Sequence, residues 1–342
     1  MRQRKKTYFL LALMLLIGWV ACRKPQDLPN ISPPYVLNIP EGFDAPIIPE
    51  DNALTIARVA LGKKLFYDPI LSRDSSVSCG SCHLQELAFT DGLPVSKGIE
   101  NRLGFRNSPS LANMAYHPYF FREGGVPTLE RQVNAPIEDE TEMDFTVYDA
   151  VVRLQEHEEY PALIKEAYDR EVDAFSLSRA LAAFQRTLIS GNSSFDQYFY
   201  QGDTNAMSSQ AVRGMELFFS DALDCSSCHS GFNFTNYAFE NTGIYEVYED
   251  PGRARFTNVE ADWGKMKVPS LRNVAQTAPY MHDGSFETLD DVLEHYITGG
   301  QVHPNKSDKV KPLVLSTTEK EEIIAFLEAL TDWEFLTNPL FN

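Results

Sequence analysis

The sequence predicts a mainly α-helical protein with long loops and two similar halves. Three observations carry this. Apolar residues recur at helical spacing in several segments, alternating strand patterns bounded by hairpin turns are scarce, and a helix end followed by C-x-x-C-H occurs twice. The two copies of that unit stand 146 residues apart: "GKKLF" (Gly62 to Phe66) leads into Cys79-Gly80-Ser81-Cys82-His83, and "GMELF" (Gly214 to Phe218) leads into Cys225-Ser226-Ser227-Cys228-His229.

The chain opens on a basic stretch, Arg2, Arg4, Lys5 and Lys6, followed by 14 uninterrupted apolar residues, Tyr8 to Ala21. That is the length of a signal-peptide core and short of the roughly 20 residues of a membrane span. The pair Ala21-Cys22 resembles a bacterial lipobox, with Trp19 where a Leu is usual. Residues 1–21 are therefore expected to be a signal peptide and Cys22 a lipidated residue. Ordinary cleavage nearby, leaving Cys22 a stray thiol, is the competing reading. The protein is expected to be exported to the periplasm and held at a membrane through a lipid anchor.

Residues 22–50 are rich in proline with little periodicity, and read as a tether and extended lead-in. Helices are expected over Asn52 to Asp68, through Leu54, Ala57, Leu61 and Leu65, and over Leu177 to Ser190, through Leu177, Leu181, Phe184 and Leu188. Leu289 to Thr298 starts after Thr288 and stops at Gly299-Gly300, and Ser316 with Glu319 forms a capping box before a last helix. Turn formers cluster at Gly191 to Asp203, which suggests a boundary between domains at 51–195 and 196–342.

The net charge is −18, and removing the four leader cations takes it to −22. Such acidity argues against nucleic acid. It suits steering of a basic partner, or simple solubility.

Three chemistries use paired cysteines at this spacing. A zinc site could draw four thiolates from the two pairs, but 142 residues separate Cys82 from Cys225, and the histidines would have no role. A thioredoxin-like pair needs a βαβ setting that is not visible. Covalent c-type haem uses every position: two thiols add to the two vinyl groups, and the following histidine binds the iron. The expected cofactors are therefore two covalently bound haem c groups, on Cys79, Cys82 and His83 and on Cys225, Cys228 and His229. The fold class is thus mainly α, with two cytochrome c-like haem domains and long loops.

Longer segments carry a more specific resemblance. "GKKLFYDPILSRDSSVSCGSCH", "FRNSPSLANMAY", "PTLERQVNAPIEDETEM", "VPSLRNVAQTAPYMHDGSFETL" and "EHYITGG" occur in an order that resembles the bacterial di-haem cytochrome c peroxidase family, which includes the MauG-type enzymes. The resemblance covers nearly all of the chain after the leader. It implies an oxidoreductase that reduces hydrogen peroxide to water, with electrons from a small cytochrome c or cupredoxin. It also allows a homodimer. The first haem would be peroxidatic, with Gln132, Pro136 and Glu142 lining its far side. Glu142 would shuttle the peroxide proton and Gln132 would orient the peroxide. Without the resemblance, "EDETE" reads as a solvated acidic run. The second haem would relay electrons, with Tyr296 as its second axial ligand; Met281, His282 and His295 are the alternatives. A calcium ion would lie between the domains on Asn107, Thr277 and Pro279.

The chain also departs from the family pattern. Ile99-Glu100 stands where many members carry a histidine that blocks the first iron, so this iron is expected to be open without prior reduction. His117 is expected on a surface loop, with an outside ligand to that iron as the alternative. Arg122 replaces the family's Trp between the haems, so an aromatic relay is missing or falls to Phe120 or Phe121, and Arg122 would face the haem carboxylates. Two other functions compete: MauG-like oxidation of a protein or organic substrate through a high-valent di-haem state, which Tyr296 favours, and a non-catalytic di-haem electron carrier or peroxide sensor, against which Gln132 and Glu142 argue.

Overall fold

The computed structural model describes residues 32–342, and its compact unit runs from Pro33 to Asn342. The leader and Cys22 lie outside the described residues. No helix among the described residues is long and apolar enough to cross a membrane.

The molecule is mainly helical. Its sheet, among the described residues, is one antiparallel pair of two-residue strands, β1 (Phe239–Glu240) and β2 (Met266–Lys267). The principal helices begin at side-chain caps, which satisfy the backbone N–H groups of the first turn. The first, α1 (Ile56–Tyr67), starts at Thr55, while Asn52 belongs to a separate 3-10 turn, Glu50–Asn52. Asp173 and Ser176 box the start of α2 (Ala174–Gln185). Ser208 caps α3 (Ser209–Phe218). Thr288 and Asp291 box α4 (Leu289–Thr298), which ends at Gly299 with φ 78°. Ser316 and Glu319 box α5 (Thr317–Glu328), as the sequence predicts.

The "GKKLF" and "GMELF" repeat has a packing cause. Helix α1 crosses α2, and α3 crosses α5, each pair at a glycine. A Cβ on Gly62 would lie 1.9 Å from the Ala180 carbonyl oxygen, and one on Gly214 would lie 1.8 Å from that of Glu322. Each helix pair anchors one hydrophobic core. The first gathers Leu65, Phe66, Phe89, Leu181 and Phe184; the second gathers Phe195, Phe218, Phe234, Ile323 and Phe326. A fully buried side chain of this kind stabilises the fold by about 1.5–3 kcal/mol.

A second repeat follows the motifs, at a constant offset of 160. Residues 109–129 and 269–289 share Pro, Ser, Leu, Asn, Ala, Gly, Thr and Leu at matching positions. Their backbones match as well. Met114–Tyr116 and Val274–Gln276 are equivalent 3-10 turns, entered through left-handed Asn113 (φ 62°) and Asn273 (φ 59°). Phe120 bridges Val126 as Tyr280 bridges Phe286. Continued into the next helices, the offset pairs Pro136 with Tyr296.

The two copies interlock through buried polar groups. Asn113 Nδ2 donates to the Ser190 carbonyl at 2.9 Å, and Asn273 Nδ2 donates to Ser190 Oγ at 3.0 Å. The N–H groups of Gly191 and Asn192 and the Ser190 hydroxyl donate to Asp332. The turn formers at 191–203 therefore serve as hydrogen-bond partners and as the cap of Ser194–Phe199. Beside them Arg272 pairs with Asp196 through two bonds of 2.7 and 2.8 Å, both side chains fully buried.

The two ends of the described chain lie against the body. The extended lead-in pairs Tyr35 N–H with the Leu54 carbonyl at 3.0 Å and seats Phe43 against Phe232. At the other end, Phe335, Leu336 and Phe341 return to the first core. Gln85 Nε2 donates to the carbonyls of Phe335 and Asn338, both at 2.9 Å.

Gly62→Ala is expected to destabilise the protein by about 1–3 kcal/mol, because the added methyl meets backbone that cannot swing aside. Gly104→Ala, whose nearest neighbour would be 3.7 Å away, is the near-neutral control. Denaturant unfolding of the two variants checks this, and equal midpoints would refute the crossing-point account.

Candidate functional site

Both C-x-x-C-H motifs fold as one tight turn. Cys79–Cys82 forms a single helical turn, boxed by Ser78 and Ser81, while Cys225–Ser227 is a 3-10 turn entered through left-handed Asp224. In each, the histidine N–H reaches back to the first cysteine's carbonyl, at 3.1 Å for His83 and 3.0 Å for His229. The imidazoles are fixed alike. His83 Nδ1 lies 2.7 Å from the Phe89 carbonyl, and His229 Nδ1 lies 3.0 Å from that of Phe234. A carbonyl only accepts, so both rings carry their proton on Nδ1. Burial holds both below the ordinary histidine pKa, hence neutral. That leaves Nε2 with a free lone pair and no protein partner, the state of a metal-binding imidazole.

The thiols suit the same reading. None of Cys79, Cys82, Cys225 and Cys228 is in a disulfide. Burial pushes Cys79 and Cys82 up to about 12 and Cys225 to about 11. These are neutral, unpaired thiols beside a neutral imidazole, which fits a thioether-linked haem at each motif. It does not fit zinc: among the described residues, no group of three or more His, Cys, Asp and Glu side chains could hold a metal ion.

Glu142 stands next to the first motif, near enough for its charge to raise both Cys79 and Cys82. Its backbone carbonyl accepts from Ile99 N–H at 2.7 Å, and Pro136 is tied to the same loop by Met143 N–H at 3.2 Å. The side chain reaches solvent, while protein crowded around its carboxyl limits the water that can solvate the charge. Burial, and then Asp139, push its carboxyl up to about 7. Glu138, Glu140 and Glu142 are all exposed, as the acidic-run reading expects, and what sets Glu142 apart is its place beside Cys79 and Cys82. Gln132 is half-buried, and its amide makes no bond within the protein. Ile99 is fully buried, and Glu100 is engaged by Arg73 and Arg102, so no imidazole rises from that segment.

At the second motif, Tyr296 projects from α4. Burial, and then the Cys228 and Cys225 thiols, drive its phenol far above the ordinary tyrosine value. The phenol makes no hydrogen bond within the protein. His295 is occupied, with Nε2 3.0 Å from the Thr242 carbonyl. His282 sits beside Tyr248, Asp250 and Asp283, and Met281 lines a separate cavity.

That cavity, of about 170 Å³, lies where the two copies meet. His117 lines it and is no surface histidine: its Nε2 is buried without a partner, and burial with Lys267 holds it well below its ordinary value. The copies exchange backbone bonds here, Asn107 N–H to the His282 carbonyl at 2.8 Å and Lys267 N–H to the Arg122 carbonyl at 2.6 Å. Asn107, Thr277 and Pro279, the residues expected to hold calcium, all line it, and Arg122 reaches the first of them. Arg122 Nη2 donates to Asn107 Oδ1 at 2.8 Å and to its carbonyl at 2.9 Å, taking the oxygens that calcium would need. A divalent ion about 5 Å from a guanidinium would be repelled by roughly 7 kcal/mol at an effective dielectric of about 20.

Two covalent attachment turns on a mainly helical scaffold define a di-haem c-type redox protein. Residues 56–205 match the family model described as di-haem cytochrome c peroxidase. The chain is 40% identical over 286 residues to the methylamine utilization protein MauG of Methylorubrum extorquens, covering 82% of this chain and 80% of that one. It is 35% identical to the cytochrome-c peroxidase IdrP1 of Denitromonas iodatirespirans, covering 86% of each. A solved MauG-like protein associated with microbial copper homeostasis superposes with a TM-score of 0.85 and 32% identity, over 90% of this chain and 99% of that one. The chain belongs to the di-haem cytochrome c peroxidase family, and it is an oxidoreductase.

Because the Ile99-Glu100 segment carries no imidazole, the protein as isolated is expected to show a high-spin ferric signal from one haem before any reductant is added. Electron paramagnetic resonance reads this directly; an entirely low-spin spectrum would sink it.

Proposed function

We propose that this protein reduces hydrogen peroxide to two waters, consuming two protons and two electrons from a small redox protein. The observation that carries this is Glu142, an acid–base group near neutrality beside the first attachment turn. When bound, the haems supply the redox-active iron. The chain supplies the proton handling. In its ionised form, the Glu142 carboxylate accepts a proton from one peroxide oxygen and returns it to the other, so that the leaving oxygen departs as water. Gln132, with an uncommitted amide, donates to the peroxide and sets its orientation. Pro136, tied to the same loop by Met143 N–H, has a side chain with no atom that could ligate iron, so it would leave room for peroxide.

At the second centre, His229 and Tyr296 would hold the iron, Tyr296 standing near Cys225 and Cys228. A phenolate is a hard, anionic donor and favours oxidised iron. This same feature favours MauG-like oxidation of a protein or organic substrate as the second reading. The N-terminal domain spans 51–195 and the C-terminal domain 196–342, each built round one attachment turn. Export to the periplasm and lipidation of Cys22 complete the proposal, with a basic cytochrome c or cupredoxin as donor to this acidic protein.

Glu142→Gln should lower the rate of peroxide-dependent oxidation of reduced cytochrome c by about 10²–10⁴-fold. In the parent protein kcat/KM should rise with pH through about 7, because the protonated carboxyl cannot accept the peroxide proton. That inflection should vanish in Glu142→Gln; if it persists, another group is the base. No turnover in either protein, with a long-lived oxidised state after peroxide, would favour the MauG-like reading.

Tyr296→Met should raise the reduction potential of the second centre and remove any phenolate-to-iron charge-transfer band. Spectroelectrochemistry checks both. An unchanged potential and spectrum would place Tyr296 off the iron.

A further inference from the structure

The cavity between the copies contains cations that the reaction does not use. The 160-residue offset relates its two sides: Asn107 corresponds to Lys267, Thr277 to His117, and Pro279 to Tyr119. On one side Lys267 Nζ donates to the Tyr119 carbonyl at 2.9 Å and lies 3.4 Å from His117 Nδ1. On the other side the same place faces Asn107, Thr277 and Pro279. There Arg122, entering from the neighbouring loop, takes Asn107 Oδ1 and the Asn107 carbonyl. Each half therefore places a side-chain cation at its equivalent position.

Protein charges of both signs surround them. Arg122, Lys267 and Arg106 are the cations. Glu123, Asp250 and Asp283 are the anions that act on them. Arg106 engages Glu123 and Asp250 directly, the latter at 2.8 Å. Asp283 accepts from the Tyr245 hydroxyl at 2.5 Å. Calcium needs six to eight oxygens and gains most from carboxylates. What remains toward it here is two neutral carbonyls, those of Thr277 and Pro279, which accept no hydrogen bond within the protein.

We propose that the Arg122 guanidinium occupies the cation position between the two halves, so that this protein holds its inter-haem region together without calcium. Arg122 acts as a positioning residue. It fixes Asn107, whose N–H ties the first copy to His282, and whose Nδ2 donates to the Leu93 carbonyl at 2.8 Å. Arginine suits the place better than lysine, because its fork reaches both Asn107 oxygens at once.

The test uses the purified holoprotein and needs no turnover, so it stands or falls apart from the peroxidase proposal. Calcium is counted by atomic emission after desalting, and Tm and the haem absorption spectrum are recorded with EGTA and with added calcium chloride. Substoichiometric calcium, with no shift of Tm or spectrum under either treatment, is expected. One tightly held calcium per chain, with a lower Tm or an altered spectrum in EGTA, would overturn the proposal whatever any variant does. Arg122→Ala removes the guanidinium and frees Asn107. It should bind one calcium per chain and gain about 5 °C in Tm at saturating calcium. A folded Arg122→Ala protein that takes up no calcium would show that the guanidinium is not what excludes the ion.

Discussion

The molecule is organised around the seam at Ser190. Asn113 and Asn273 sit at equivalent points of two related segments, both fully buried and both in the left-handed region. Each donates its amide to Ser190, one to the carbonyl and one to the hydroxyl. Their own oxygens accept from the N–H groups of Ser190 and Asp332, both at 2.8–2.9 Å. A buried amide left without partners costs about 1–3 kcal/mol, so neither copy can slide against the other without losing several bonds together. Each asparagine also opens the loop that leads to its copy's site residues. The seam therefore fixes where the site loops start as well as how the halves meet.

On that shared frame the two copies diverge at a few side chains. The first has Pro136 where the second has Tyr296. A proline side chain offers no lone pair to a metal, whereas a phenol does, so the two related positions differ in what they could offer an iron. The surroundings follow suit. The first motif gains Glu142, held in place by Ile99 N–H, and the second has no carboxyl at the corresponding place, where Val302 stands. A duplicated attachment turn has thus become two different environments through changes on the far side of the cofactor, while the Nδ1-to-carbonyl bond behind each histidine stays the same.

Much of this was legible in the sequence because it is local. The capping boxes at Thr288 and Ser316, the stop at Gly299, and both attachment turns need only neighbouring residues. The glycines of "GKKLF" and "GMELF" were visible as a repeat, but their purpose was not: the atoms they avoid, in Ala180 and Glu322, are more than 100 residues away. The offset of 160 was also present in the sequence, in the Pro-Ser-Leu-x-Asn steps and the Thr-Leu helix starts, and was obscured by unrelated residues between them. His117 looked like a loop histidine because burial by a distant lysine leaves no local mark. Arg122 stands where the resembling family carries an aromatic residue, which the sequence alone displays. Its grip on two oxygens of Asn107 required the fold.

The return of Phe335, Leu336 and Phe341 to the first core has a consequence for the first imidazole. Phe335 and Phe341 pack against Phe89, with ring centres 5.5 and 6.5 Å apart. The Phe89 carbonyl is the group that holds His83. Tyr67, at the end of α1, also donates to the Phe341 carbonyl at 2.5 Å. Residues 335–341 thus bear, through one phenylalanine, on the carbonyl that fixes the first imidazole. The aim of His83 and the seating of a segment some 250 residues away form one mechanical unit.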